Sequence, residues 1–176
     1  MCSICDLRIE FSVDHPMSLG VAVETRRAID VGLLPEPKLS IDGSRLRLKA
    51  IDTLKAAQQR LEQTLRPEEL LALPDFFVLM IESRTWAFFR PTPTGFDPNC
   101  QPAPPNVASD DEAARDAVLV ASELAMGEVV AGRLPFDAAL REGVLVLDAD
   151  EARRVALLTV WCAAYPERGF SRFVCA

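Results

Sequence analysis

The chain has 176 residues, a net charge of −7 and 49% hydrophobic residues, which is typical of one packed globular domain. Because the acidic balance repels phosphate backbones, we expect no nucleic-acid partner. No apolar run reaches the ~20 residues that a membrane-spanning helix needs, so we expect no membrane partner.

The first residues lack a basic region followed by an apolar stretch, which predicts the absence of a secretory signal and a cytoplasmic location. In a reducing cytosol, free thiols are the expected state of the five cysteines.

The N-terminal part of the chain predicts alternating strands and helices. Apolar residues at every second position between Leu7 and Val13 indicate a strand. Asp14 is a candidate N-cap for a helix over Leu19 to Leu33, which closes near Gly32. Alternating runs on both sides of residues 42–44 (Asp-Gly-Ser) predict a hairpin. A helix follows, with apolar residues at helical spacing: Ile51, Leu54, Leu61 and Leu65. A short helix then runs from Pro67 through Leu73.

Residues 76–90 are the most apolar part of the chain. Two apolar runs separated by Ser83 and Arg84 predict a hairpin that is buried on both faces. The element order to this point is β-α-β-β-α-β-β, and its first six elements match the ferredoxin-like order. The predicted fold class is therefore α+β: an antiparallel sheet with helices packed on one face, followed by a mainly helical C-terminal part.

A proline-rich stretch, residues 91–108, divides the chain. Proline can neither continue a helix nor donate to a strand ladder, so this stretch predicts a lid or a linker. Phe96, its single aromatic residue, would anchor a lid. We predict one domain over 1–176, with a subdivision into 1–90 and 109–176 as the alternative.

The remaining residues predict mainly helices. Ser109 opens a capping box, which predicts a helix that runs through the apolar Ala117 to Ala121 and stops at Gly132. The pattern continues with a short helix from Pro135 to Gly143, a strand over Val144 to Leu147, a helix to Ala164 and an edge strand over Phe170 to Cys175.

One stretch after Ser122 has a spacing that resembles sterol-carrier-type lipid-binding domains. Its matching residues are of common types: Gly132, Leu134, Ala139, Gly143, Leu145, Leu147 and Asp150. The resemblance implies a carrier of apolar ligands and requires residues 117–121 to form a strand, whereas the alanines there favour a helix. We take no residue roles from it.

Cys2 and Cys5 form a Cys-x-x-Cys pair at the start of the chain. Such a pair can bind a soft metal such as zinc, but a structural site needs four ligands. Cys175 is the best further ligand if the last strand pairs beside the first. An extended segment would hold Cys5 and His15 roughly 30 Å apart, so we predict that His15 does not share an ion with the two cysteines.

Familiar catalytic and nucleotide-binding motifs are absent from the sequence, which favours a non-catalytic protein that needs no cofactor. The predicted function is a binding or interaction module that uses either an apolar small-molecule cavity between sheet and helices or a homodimer interface. The alternative is an N-terminal metal-binding or redox site at Cys2 and Cys5.

Overall fold

A computed structural model describes residues 14–37 and 42–166. The helices are α1 (Ser18–Asp30), α2 (Gly43–Thr64), α3 (Pro67–Leu71), α4 (Glu123–Val130), α5 (Phe136–Arg141) and α6 (Glu151–Ala164). The strands are β1 (Phe76–Met80), β2 (Thr85–Phe89), β3 (Pro91–Thr92), β4 (Gly95–Phe96), β5 (Val118–Ala121) and β6 (Leu145–Asp148). About 48% of the described residues are helical and 15% lie in strands, and the fold is α+β with a helical C-terminal part, as predicted.

The main sheet has the strand order β2-β1-β5-β6. Strand β1 pairs antiparallel with β2, and the register Val78 to Ala87 confirms the predicted hairpin. Strand β1 also pairs parallel with β5, and β5 pairs antiparallel with β6. The prediction of a purely antiparallel sheet was therefore wrong, because a strand from the C-terminal part inserts beside β1.

The two faces of the sheet carry separate clusters of buried side chains. Phe76, Val78 and Met80 face the larger cluster, to which α2, α4, α5 and α6 contribute. Phe77 and Leu79 face a smaller cluster. Helix α1 contributes Val21 to the smaller cluster. The prediction that all helices pack on one face of the sheet was therefore wrong.

Residues 42–44 begin a helix instead of turning a hairpin. Asp42 has the extended backbone of an N-cap residue (φ −50°, ψ 139°), and α2 starts at Gly43. The buried stripe of α2 consists of Ala50, Leu54, Ala57 and Leu61. Leu46 and Leu48 thus belong to a helix, and the ferredoxin-like order is wrong over this stretch. The predicted first and last strands lie outside the described residues.

Residues 118–121 form strand β5, not the predicted helix. Asp111 caps only a short 3₁₀ helix (Glu112–Ala114), and Ser122 caps α4 by accepting from the backbone N–H of Ala125. All four residues of β5 are buried because both faces of the sheet are covered there. The strand required by the sterol-carrier resemblance is therefore present.

The proline-rich stretch begins with the β3–β4 hairpin, which packs on the sheet. Phe96 is buried, and its ring lies edge-on to Phe76 and Phe89, at centroid distances of 6.2 Å and 5.1 Å. The backbone N–H of Phe96 donates to Glu62 Oε1 of α2 (3.1 Å). Within the described residues, no helix offers an apolar stretch long enough to cross a bilayer.

Candidate functional site

A cleft of about 480 Å³ opens where α4 and α6 end beside the second half of α2. Helix α2 contributes Arg60 and two glutamines to it. The ends of α4 and α6 contribute mainly apolar groups. The complete lining is Ala56, Gln59, Arg60, Gln63, Val130, Ala131, Gly132, Leu134, Ala164, Tyr165 and Pro166.

Local backbone chemistry fixes both helix ends at the cleft. Gly132 adopts a left-handed conformation (φ +66°), which lets the N–H groups of Arg133 and Leu134 bind the carbonyl of Glu128 and end α4. At the end of α6, Arg60 Nε donates to the carbonyl of Ala164 (3.1 Å). These bonds satisfy carbonyl groups that a helix terminus leaves free.

Tyr165, the single tyrosine of the chain, lines this cleft directly after α6. Its ring stacks on Trp161 at a centroid distance of 5.8 Å, and only 6% of the residue is exposed. The hydroxyl oxygen is buried and has no hydrogen-bond partner among the described residues. Burial raises the pKa of Tyr165 to about 12, against the opposing charge of Arg60, so the hydroxyl keeps its proton.

A buried hydroxyl without a partner costs about 1–3 kcal/mol, so each one needs an explanation. The hydroxyl oxygen has almost no accessible surface, so a ligand bound in the cleft would not reach it. The charge of the Arg60 guanidinium lowers the pKa of Tyr165 and so opposes the effect of burial. The cleft lining includes no aspartate or glutamate.

A second cleft, of about 540 Å³, lies between the first turns of α2 and the β1–β2 turn. Leu46, Leu48 and Ile51 give it apolar walls, and Glu82 and Ser83 supply polar groups. Here the Glu82 carboxylate already accepts a hydrogen bond, from the backbone N–H of Glu123 (2.9 Å). This cleft therefore offers less reason to expect a ligand than the first.

Glu82 and Glu123 join the β1–β2 turn to the start of α4. Glu123 is buried, and its carboxylate accepts the backbone N–H groups of Glu82 (3.0 Å) and Ser83 (2.6 Å). Desolvation raises the pKa of Glu82 to about 7, although solvent access to this exposed residue screens its charge and limits the energetic effect. All these bonds are internal, so we interpret the pair as structural.

His15 is buried against the end of β6. Its Nε2 lies 3.2 Å from Asp148 Oδ2. Its Nδ1 accepts from the backbone N–H of Met17 (3.2 Å), and Arg115 lies 3.4 Å from the other Asp148 oxygen. Burial lowers the pKa of His15, and Asp148 opposes that shift. The imidazole anchors the start of α1.

The cysteines of the predicted metal site, Cys2, Cys5 and Cys175, lie outside the described residues, so that site stays a prediction. The same holds for the prediction that His15 shares no ion with Cys2 and Cys5. In the part of the chain that the structure describes, no three His, Cys, Asp or Glu side chains are grouped to hold a metal ion. Cys162 packs against the larger cluster of buried side chains.

Sequence reasoning did not single out Arg60 or Tyr165. Arg60 is exposed on α2, and Tyr165 follows a helix without any motif. The one available signal was a lone tyrosine between a helix end and Pro166. The contact of Arg60 with the end of α6 depends on tertiary structure, since 104 positions separate Arg60 from Ala164, its hydrogen-bond acceptor.

No known family model, curated protein or solved structure matches this chain.

Proposed function

We propose that this protein is a non-catalytic binding module that holds a small organic molecule in the cleft between α2 and the ends of α4 and α6. The observation that carries the proposal is the cleft itself, where Arg60 of α2 lies beside apolar groups from the ends of α4 and α6.

The size and lining of the cleft support this function. A volume of about 480 Å³ falls within the range of ligand pockets, roughly 300–1,000 Å³. Val130, Leu134 and the ring of Tyr165 provide apolar surface for the body of a ligand, and a few polar groups converge beside them. The cleft lies between helices, whereas the sequence predicted a cavity between sheet and helices. The helix-side core beneath the sheet is filled by side chains such as Phe76, Met80 and Trp161, which are almost fully buried.

A neutral fluorescent probe tests the proposal. N-phenyl-1-naphthylamine should become fluorescent on binding to the unaltered protein. Ala131→Trp should abolish this signal, because the larger side chain, at an exposed position in the lining, fills the cleft. Ala152→Trp, the same change at an exposed position of α6 outside the cleft, is the matched control and should bind normally. Equal binding by both variants, or no binding by the unaltered protein, would contradict the proposal.

A homodimer interface remains the other predicted use of apolar surface. Three large apolar side chains are exposed on α1 and in the turn that follows it: Leu19, Val23 and Val31. Sedimentation equilibrium would detect a dimer, and a monomer at all concentrations would leave the small-molecule proposal standing alone.

A further inference from the structure

We propose that residues 167–176 fold back into the cleft between α2 and the ends of α4 and α6, where they compete with its ligand. This inference rests on the proposed function and adds an autoinhibitory segment that regulates the same site. Phe170 is the side chain that would occupy the cleft, and a ligand must displace it to bind.

The segment starts at the site itself. Tyr165 and Pro166, the last residues of the described part of the chain, both line the cleft. Phe170 follows Pro166 by four positions, a stretch of chain that reaches at most about 14 Å. Gly169, directly before Phe170, accepts the positive φ that reverses a chain in a turn. The sequence thus puts an aromatic side chain within reach of the cleft.

The cleft and the segment are complementary in polarity and charge. Val130 and Leu134 offer apolar surface to an aromatic ring. Arg60 donates from Nε to the carbonyl of Ala164 (3.1 Å), and its terminal amino groups have no partner among the described residues. Glu167, the single acidic residue of the segment, comes three positions after Ala164. An ion pair between Arg60 and Glu167 would direct the segment across the cleft towards α2.

Attachment to α6 makes even weak docking effective. A short flexible connection gives the segment an effective concentration of about 1 mM at the cleft. If the free segment binds with a dissociation constant of roughly 0.25 mM, a competing ligand binds about fivefold more weakly than it would to an open cleft. The segment therefore sets a threshold concentration for the ligand.

Replacement of the docked side chain should open the cleft. Phe170→Ser in the full chain should bind N-phenyl-1-naphthylamine about fivefold more tightly than the unaltered protein, as measured by fluorescence titration. Phe173→Ser is the matched control, because it makes the same change three positions further from the cleft. It should change the affinity by less than about twofold, since only the side chain in the cleft competes with the probe.

A free peptide provides a second measurement, which does not depend on the stability of the variant relative to the unaltered protein. A peptide with the sequence of residues 167–176 should displace N-phenyl-1-naphthylamine from the Phe170→Ser protein. The same peptide carrying Phe170→Ser should not displace it.

Trypsin provides a readout that needs no ligand. It cuts after Arg168 and Arg172, and docking should slow both cuts because a protease needs the segment released from its binding site. Ala131→Trp, which fills the cleft, should therefore increase the cleavage rate about fivefold, in proportion to the time for which the segment is docked. Ala152→Trp should leave the rate unchanged. Mass spectrometry of the intact protein follows the loss of the segment.

The possible outcomes separate the two proposals. If the probe binds to the unaltered protein and to Phe170→Ser with equal affinity, the autoinhibition inference is wrong and the proposed function stands. Cleavage that Ala131→Trp does not accelerate also overturns the inference, and it is the result expected if residues 170–175 form the edge strand that their sequence predicts. If no form of the protein binds the probe but Ala131→Trp accelerates cleavage, the proposed function is wrong and the segment is the occupant of the cleft. If neither effect is seen, both proposals are wrong.

Discussion

The backbone N–H of Glu82 donates to the carboxylate of Glu123 (3.0 Å), and the backbone N–H of Glu123 donates to the carboxylate of Glu82 (2.9 Å). This reciprocal pair connects the β1–β2 turn to the first residue of α4 across 41 positions of sequence. The turn also contains Arg84, which has a left-handed backbone (φ +51°). The two side chains thus hold a strained turn against the start of α4.

Replacement of Glu123 by Ala should destabilise the protein by about 2–3 kcal/mol, because the N–H groups of Glu82 and Ser83 would lose a charged acceptor. Urea unfolding monitored by circular dichroism measures the effect. Glu151→Ala is the matched control, since Glu151 is also the first residue of a helix but is exposed. The control should change stability by less than about 0.5 kcal/mol. Equal losses in the two variants would contradict the structural role of Glu123.

Glu82→Gln should stabilise the protein at alkaline pH. The folded state raises the pKa of Glu82 from 4.5 to about 7, so it favours the protonated form. The stabilisation that results from this preference is complete below the pKa that Glu82 has in the unfolded chain, and it is lost as the pH rises through 7. Because solvent screens this exposed residue, we expect a difference of only about 1 kcal/mol between pH 5 and pH 8. Unfolding curves at both values should show the loss in the unaltered protein and not in the glutamine variant.

His15 should produce the opposite pH dependence. Burial lowers the pKa of His15 below 6.5, so the unfolded chain takes up a proton before the folded protein does. The folded state is therefore fully stable above pH 6.5 and loses stability as the pH falls, by at most about 1.4 kcal/mol per pH unit. In His15→Gln this acid-dependent loss should be absent. An unchanged slope between pH 7 and pH 5 would show that His15 is not the group responsible.

The elements that could be predicted are those whose own residues carry the signal. The β1–β2 hairpin follows from two continuous apolar runs around Ser83 and Arg84. Helices α1, α5 and α6 follow from their stop residues, since Gly32 and Gly143 have positive φ and Pro166 lies just beyond α6. In each case, a short segment contains enough information to choose one structure.

The errors occurred where tertiary contacts decide between two locally acceptable structures. The residues Asp42-Gly43-Ser44 fit a hairpin turn and also a helix start, and the small Ala50 and Ala57 make the buried stripe of α2 hard to recognise. Strand β5 has no polar alternation because it is buried between β1 and β6. Only its pairing with those strands distinguishes it from an interior helix. The cleft depends on contacts between distant helices in the same way.

Limited proteolysis should cut the proline-rich stretch near residues 99–101 without separating the fragments. Asn99 and Gln101 are exposed, while Phe96 holds the preceding hairpin in the core. The fragments should stay together because β1 pairs with β5 and because α2 contacts both α4 and α6. Size exclusion in native buffer should give one peak that contains both fragments. In denaturing urea the same sample should give two peaks, which would confirm that the chain was cut. Folded fragments that separate in native buffer would instead demonstrate two independent domains, and the prediction of one domain over 1–176 would be wrong.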